Sequence, residues 1–133
     1  MIQSIGHIAV RVSDLDRSVD FYCRVLGGKK VFEGTENGEV NMCYVKFCDG
    51  QYIELFKPGP DAAPMVHGNI GFMHLCLTVP DIYEAEKQVK AAGWPAKPVR
   101  KGKYGNYQLW IADPDGLEIE CMQILPDFLL GNA

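Results

Sequence analysis

The alternation of apolar and polar positions divides the chain into two halves of the same plan. Residues 5–12 alternate, with Ile8, Val10 and Val12 on one side and His7, Ala9 and Arg11 on the other, which predicts a strand. Ser13 is the expected N-cap of the helix that follows, with Asp14 and Asp16 near its positive end. Leu15, Val19, Tyr22, Val25 and Leu26 then recur at helical spacing, and Gly27-Gly28 stops the helix. Three short strands are predicted next, at 29–33, 40–47 and 51–57, joined by tight turns as an antiparallel meander. Residues 58–69 have no periodicity and read as a linker. The second half begins with an alternating strand at 72–79. A helix opened by Pro80-Asp81 runs through Ala92, with Ile82, Ala85, Val89 and Ala92 inward, and Gly93 ends it. A weak edge strand is expected at 95–100, a strand at 106–112, and a last strand at 117–124 after the turn Asp113-Pro114-Asp115-Gly116.

This pattern predicts an α+β fold of two tandem βαβββ modules. Module 1 spans about 1–57, the linker about 58–70 and module 2 about 71–125, with an apolar tail at 126–133 expected to dock on the surface. In each module the aliphatic face of the sheet needs the helix as cover, and the other face is left open. The whole chain, 1–133, is read as a single domain, a size sufficient for a real core.

Composition narrows the classes of function. A formal net charge of −4 argues against a nucleic-acid binder, which carries a basic footprint. No apolar run is long enough to span a bilayer, and the amino terminus lacks a secretory signature, so no membrane partner and a cytoplasmic location are expected. Five cysteines without Cys-x-x-Cys spacing read as free thiols of a reducing compartment.

The candidate chemistry lies in the repeat itself. Asp49-Gly50-Gln51-Tyr52-Ile53-Glu54 returns as Asp115-Gly116-Leu117-Glu118-Ile119-Glu120, and the strand from His7 returns as the strand from His74. Two histidines and two glutamates thus occupy matched places on the open faces. A lone strand histidine or glutamate is more often a packing or solvated residue, but four at matched positions form a mixed nitrogen and oxygen set. Such a set suits one divalent ion per site: Ni, Zn, Co, Mn or Fe. A cation also offsets the cost of gathering two carboxylates on a concave face. Glu118 shares a face with Glu120, but it aligns with Tyr52, whereas Glu120 aligns with Glu54.

The chain resembles the vicinal oxygen chelate superfamily, which includes glyoxalase I, methylmalonyl-CoA epimerase, extradiol dioxygenases and fosfomycin or bleomycin resistance proteins. The resemblance rests on His7-Ile8-Ala9-Val10-Arg11-Val12-Ser13-Asp14, Phe21-Tyr22 with Leu26-Gly27, Tyr52-Ile53-Glu54-Leu55, His74-Leu75-Cys76-Leu77-Thr78-Val79, and Asp113-Pro114-Asp115-Gly116 leading to Ile119-Glu120. It implies the glyoxalase/bleomycin resistance/dihydroxybiphenyl dioxygenase-like fold, with His7, Glu54, His74 and Glu120 as metal ligands. By the same resemblance Glu120 is the main catalytic base and Glu54 a ligand and second base. The four-ligand set resembles glyoxalase I of the bacterial type. That implies a lyase or isomerase moving a proton through a metal-stabilised enediolate, on a hemithioacetal or related α-hydroxycarbonyl substrate. An epimerase of the methylmalonyl-CoA type, acting without glutathione, is the alternative, and a non-catalytic ligand- or drug-sequestering dimer is the second. Arg11 matches an arginine that binds a glutathione carboxylate in glyoxalase I. Arg100, Lys101 and Lys103 form a basic cluster fit to steer an anionic small molecule. Phe56-Lys57-Pro58-Gly59-Pro60 stands where glyoxalase I usually has an asparagine-containing turn. The resemblance further implies a homodimer with sites shared between chains, and the linker is long enough for a site within one chain as well.

Overall fold

The computed structural model describes residues 1–126, so the expected tail lies almost wholly outside the described residues. The chain divides into two compact units, Met1–Pro64 and Met65 onward, and the division falls inside the stretch expected to be a linker.

In the first unit the elements are β1 (His7–Arg11), α1 (Leu15–Asp20), β2 (Lys29–Glu36), β3 (Glu39–Cys48) and β4 (Gln51–Phe56). They form a four-stranded sheet in the order β1-β4-β3-β2, with β1 parallel to β4 and the other pairs antiparallel. In the second unit they are β5 (Leu75–Thr78), α2 (Ile82–Ala91), β6 (Arg100–Lys101), β7 (Tyr107–Ala112) and β8 (Glu118–Gln123). The order β5-β8-β7-β6 repeats the first, again with the outer strand parallel to the last. The fold is α+β, two tandem βαβββ modules. Each module brings its first and last strands side by side, and that adjacency sets each histidine near the glutamate of its own unit.

The apolar face of each sheet is buried as the alternation predicts. Val12, Leu15, Phe21, Tyr22, Val25, Val45, Ile53 and Leu55 are buried in the first unit. Leu75, Ile82, Val89, Leu109, Ile111, Leu117 and Ile119 are buried in the second. The two helix starts are equivalent and correct one expectation. Asp14, not Ser13, is the first N-cap, because its backbone is extended (φ −140°, ψ 112°) and Oδ1 accepts from the Arg17 amide at 3.0 Å. Ser13 Oγ instead accepts from the Arg17 guanidinium at 3.0 Å. Asp81 caps α2 with nearly the same backbone (φ −141°, ψ 116°), accepting from the Tyr83 and Glu84 amides. Asp14 and Asp81 are thus a further matched pair of the repeat.

The first helix widens into a π-turn over Phe21–Val25, with the Leu26 amide reaching the Phe21 carbonyl at 3.3 Å. Gly27 (φ 75°) and Gly93 (φ 70°) end the two helices in the left-handed region, where a side chain would be strained.

Two strands are shorter than the alternation suggests. Strand β5 begins at Leu75 rather than at residue 72, because its first pairing is Leu75 with Ile119 and β8 starts only after the Gly116 turn. The expected edge strand at 95–100 reduces to β6, Arg100–Lys101, since Pro95 and Pro98 bring no N–H to a ladder. Ahead of β6, the Lys97 amide donates to the Trp110 carbonyl at 2.9 Å.

Candidate metal centre

In the first unit His7 opens β1 opposite Tyr52 of β4, and Glu54 lies two residues further along β4 on the same face. His7 Nε2 lies 3.2 Å from Glu54 Oε2. In the second unit His74 immediately precedes β5 and Glu120 lies in β8, with His74 Nε2 3.4 Å from Glu120 Oε2. The structure therefore brings together His7 with Glu54, and His74 with Glu120. Among the described residues no three His, Cys, Asp or Glu side chains gather tightly enough to hold an ion. Each unit offers one two-residue pair.

The spacing within each pair fits neighbouring ligands of one ion. With metal–ligand bonds of about 2.1 Å, adjacent donor atoms stand about 3.0 Å apart at a right angle and about 3.4 Å apart at a tetrahedral angle. Both observed separations lie in that range, and imidazole with carboxylate is a donor set that divalent first-row ions accept. Burial adds to the fit. The Glu120 side chain keeps 9% of its exposure, yet its partners are His74, the Asn106 amide nitrogen at 3.5 Å and the Cys76 thiol. A carboxylate so enclosed gains from a cation.

The cross-strand neighbours of the two glutamates are aromatic. Tyr44 pairs with Glu54 across β3 and β4, and Trp110 pairs with Glu120 across β7 and β8. Tyr44 presents its edge to His7 at 5.7 Å between centroids, and Trp110 meets His74 at 4.9 Å. Tyr44 also bonds the Glu54 carboxylate, and that bond, with some desolvation and the Glu54 charge, raises its phenol above the ordinary value. Phe32 and Tyr52 flank Tyr44, each with its centroid 6.1 Å away. Neither Tyr44 nor Trp110 was expected from the alternation alone. The signal was available, since they stand 66 residues apart, the same offset as Glu54 and Glu120.

The remaining acidic and thiol groups separate by environment. Glu118 shares the Glu120 face but is engaged by Lys97 Nζ at 3.1 Å, which holds its carboxyl below the usual value. Lys97 Nζ also lies 6.0 Å from the Trp110 ring centroid. Packing around the Cys76 thiol, and then the Glu120 carboxylate beside it, push Cys76 up to about 12, although the residue keeps an exposed surface. Cys76 is thus a neutral thiol against Glu120.

The expected substrate-binding cations stand as follows. Arg11 lies on the His7 side of β1, and its Nη1 donates to the Lys57 carbonyl at 3.3 Å. Lys101 closes β6, and Lys103 Nζ lies over the Tyr104 ring at 5.6 Å. Their hairpin is tied by the Gly102 amide to the Asn106 carbonyl at 2.7 Å, and Asn106 in turn bonds Glu120. The basic tip is therefore one residue contact removed from the glutamate.

The model of the Glyoxalase/Bleomycin resistance protein/Dioxygenase superfamily matches residues 4–121. The chain belongs to this superfamily. It is 36% identical over 126 residues to a probable lactoylglutathione lyase of Synechocystis, covering 88% of this chain and 92% of that one. It is 34% identical over 129 residues to the lactoylglutathione lyase of Haemophilus influenzae, covering 90% and 91%. The fold matches a glyoxalase family protein from Enterococcus faecalis with a TM-score of 0.78 at 24% identity, covering 90% of this chain and 97% of that one. Superfamily membership agrees with the duplicated topology.

Proposed function

We propose that this protein is a divalent-metal-dependent lyase or isomerase of the glyoxalase I type, with His7, Glu54, His74 and Glu120 as the ligand set. The observation that carries the reading is the matched pair of His–Glu contacts, 3.2 and 3.4 Å, at equivalent places in two copies of one topology. A bound divalent ion would supply Lewis acidity, polarising a substrate carbonyl and acidifying the carbon next to it.

The chain's own residues supply the rest. Glu120 is the carboxylate that takes and returns the proton, because its donors are long or weak and leave an oxygen able to reach a substrate carbon. Its enclosed setting strengthens that role by keeping water from competing. Glu54, held by His7 and Tyr44, serves chiefly as a ligand. Arg11, Lys101 and Lys103 attract the anionic end of the substrate. The relatives named lactoylglutathione lyase support a hemithioacetal substrate.

Two donors per unit fall short of the four ligands that a structural or catalytic ion of this kind takes from protein and solvent. We assign the complete set to a homodimer in which His7 and Glu54 meet His74 and Glu120 of the partner subunit. All 133 residues then act as one functional domain.

The test is product formation from methylglyoxal and glutathione, measured with and without prior chelation and in the Glu120→Gln variant. Chelation is expected to abolish turnover and divalent metal to restore it, and Glu120→Gln to lower it at least about 100-fold. Activity indifferent to both treatments would sink the reading.

A further inference from the structure

The hairpin that joins β6 to β7 carries Arg100, Lys101 and Lys103, and its register separates the first two. Arg100 pairs with Gln108, and Lys101 pairs with Tyr107. Tyr107 belongs to the helix side of the sheet, where its ring centroid lies 6.1 Å from that of Tyr83 in α2. Gln108 belongs to the open face. Its Oε1 accepts from Trp110 Nε1 at 3.5 Å, and Trp110 stands opposite Glu120 and against His74. Paired residues share a face and successive residues alternate, so Arg100 projects to the Glu120 side and Lys101 to the helix side. Gly102, the next place on the Arg100 side, agrees. A Cβ there would stand 2.7 Å from Asn106 Oδ1 and 2.9 Å from the Gln108 side chain, and Asn106 is the residue that bonds Glu120.

The fold itself does not require a charge at this place. At the matched point of β2, 66 residues earlier, stands Gly34, which pairs with Met42 as Arg100 pairs with Gln108. Met42 fills the space, since a Cβ on Gly34 would meet its Cγ at 2.7 Å. One copy of the module therefore covers this edge with methionine, and the other sets a guanidinium on it. Among the described residues no carboxylate lies within ion-pair distance of Arg100, whereas Lys97 Nζ meets Glu118 at 3.1 Å.

We propose that Arg100 is the substrate-binding residue of the hairpin, its guanidinium holding a carboxylate of the substrate across the open face from Glu120. Two strand spacings, about 10 Å, separate β6 from β8, so the held carboxylate belongs to a part of the substrate remote from the reacting carbon. A guanidinium meets a carboxylate through two parallel N–H donors and fixes its orientation as well as its charge. Lys101 and Lys103 add positive potential without that contact. In turnover the role rests on the enzyme reading above, and it names the group that the substrate must present.

Calorimetry with S-methylglutathione, an unreactive thioether that bears carboxylates, and with its diethyl ester tests the contact apart from turnover. Metal-loaded wild-type protein is compared with Arg100→Gln, Arg100→Lys, Lys101→Gln and Lys87→Gln, the last removing a charge from the exposed side of α2. Arg100→Gln is expected to weaken thioether binding at least about tenfold, and Arg100→Lys to recover only part of that loss. Lys101→Gln should cost about twofold, and Lys87→Gln nothing, as distance and salt dictate. The diethyl ester should bind wild type and Arg100→Gln alike. With methylglyoxal and glutathione, Arg100→Gln should raise KM about tenfold and keep kcat within about twofold, at an unchanged melting temperature. Undiminished affinity in Arg100→Gln, or an equal loss on the diethyl ester, would overturn the proposal and leave the enzyme reading standing. Thioether binding that depends on Arg100, in a wild-type protein without turnover, would overturn the enzyme reading and leave the contact standing. A wild-type protein that neither binds the thioether nor turns over would overturn both.

Discussion

At the scale of single residues, environment separates groups that are chemically alike. Glu118 and Glu120 project from one strand, yet Glu118 answers Lys97 in the open while Glu120 is enclosed beside His74, Asn106 and Cys76. The cysteines divide in the same way. Burial, and then the Glu120 charge, raise Cys121 from its ordinary 9.0 to about 11. A thiol whose folded value is raised contributes stability that is complete below pH 9 and is lost as the pH climbs through about 11. Chemical denaturation from pH 8 to 11 should therefore show a fall in wild-type stability that is shallower in Cys121→Ala. Cys76, raised to about 12, is expected to react slowly with iodoacetamide at pH 8 despite its exposed surface. Urea should abolish the difference between Cys76 and the other thiols in a peptide-resolved labelling experiment. The histidines, the glutamates and the preference for Glu120 over Glu118 were legible from the repeat. The place of Asn106 beside Glu120 was not, because it depends on a neighbour across the sheet rather than along the chain.

Elements are the scale at which the repeat becomes geometry. Each module runs strand, helix, three strands, and returns its last strand parallel to its first, so a glutamate about 46 residues after a histidine ends beside it. The boundaries that alternation misplaced have local causes: prolines thin the strand before β6, and the turn at Gly116 delays β5. Capping is a local device with a measurable weight. Asp81 accepts two backbone amides at the start of α2, and Asp81→Ala is expected to cost about 1 kcal/mol in urea denaturation without changing the cooperativity of unfolding. Gly28, where the first helix hands over to β2, is tighter still. A Cβ there would stand 2.5 Å from Val45 Cγ1 and 2.8 Å from the Tyr22 carbonyl oxygen, and the backbone oxygen cannot rotate away. Gly28→Ala should lose about 1–3 kcal/mol by overpacking, with a matching drop in melting temperature.

For the molecule as a whole, the reading of a shared site makes a demand that no single chain can meet. The His7→Ala and His74→Ala variants are each expected to be inactive, and refolding them together should restore about a quarter of wild-type activity. That figure follows from random pairing, in which half the molecules are mixed dimers and each mixed dimer carries one intact site of two. Activity that stays absent in the mixture, with dimers demonstrated by light scattering, would place the site within one chain. Among the described residues no helix is long and apolar enough to cross a membrane, and the net charge of −4 lacks the basic footprint of a nucleic-acid binder.

The sequence by itself determined the duplication, the α+β architecture and the four ligand candidates, because alternation and turn chemistry are local and a repeat doubles each signal. Tertiary structure decided which candidates meet and what holds them. His7 reaches Glu54 and His74 reaches Glu120 only because parallel pairing carries the last strand of each module back to its first. The aromatic ring against each histidine, Tyr44 on His7 and Trp110 on His74, is likewise placed by cross-strand register.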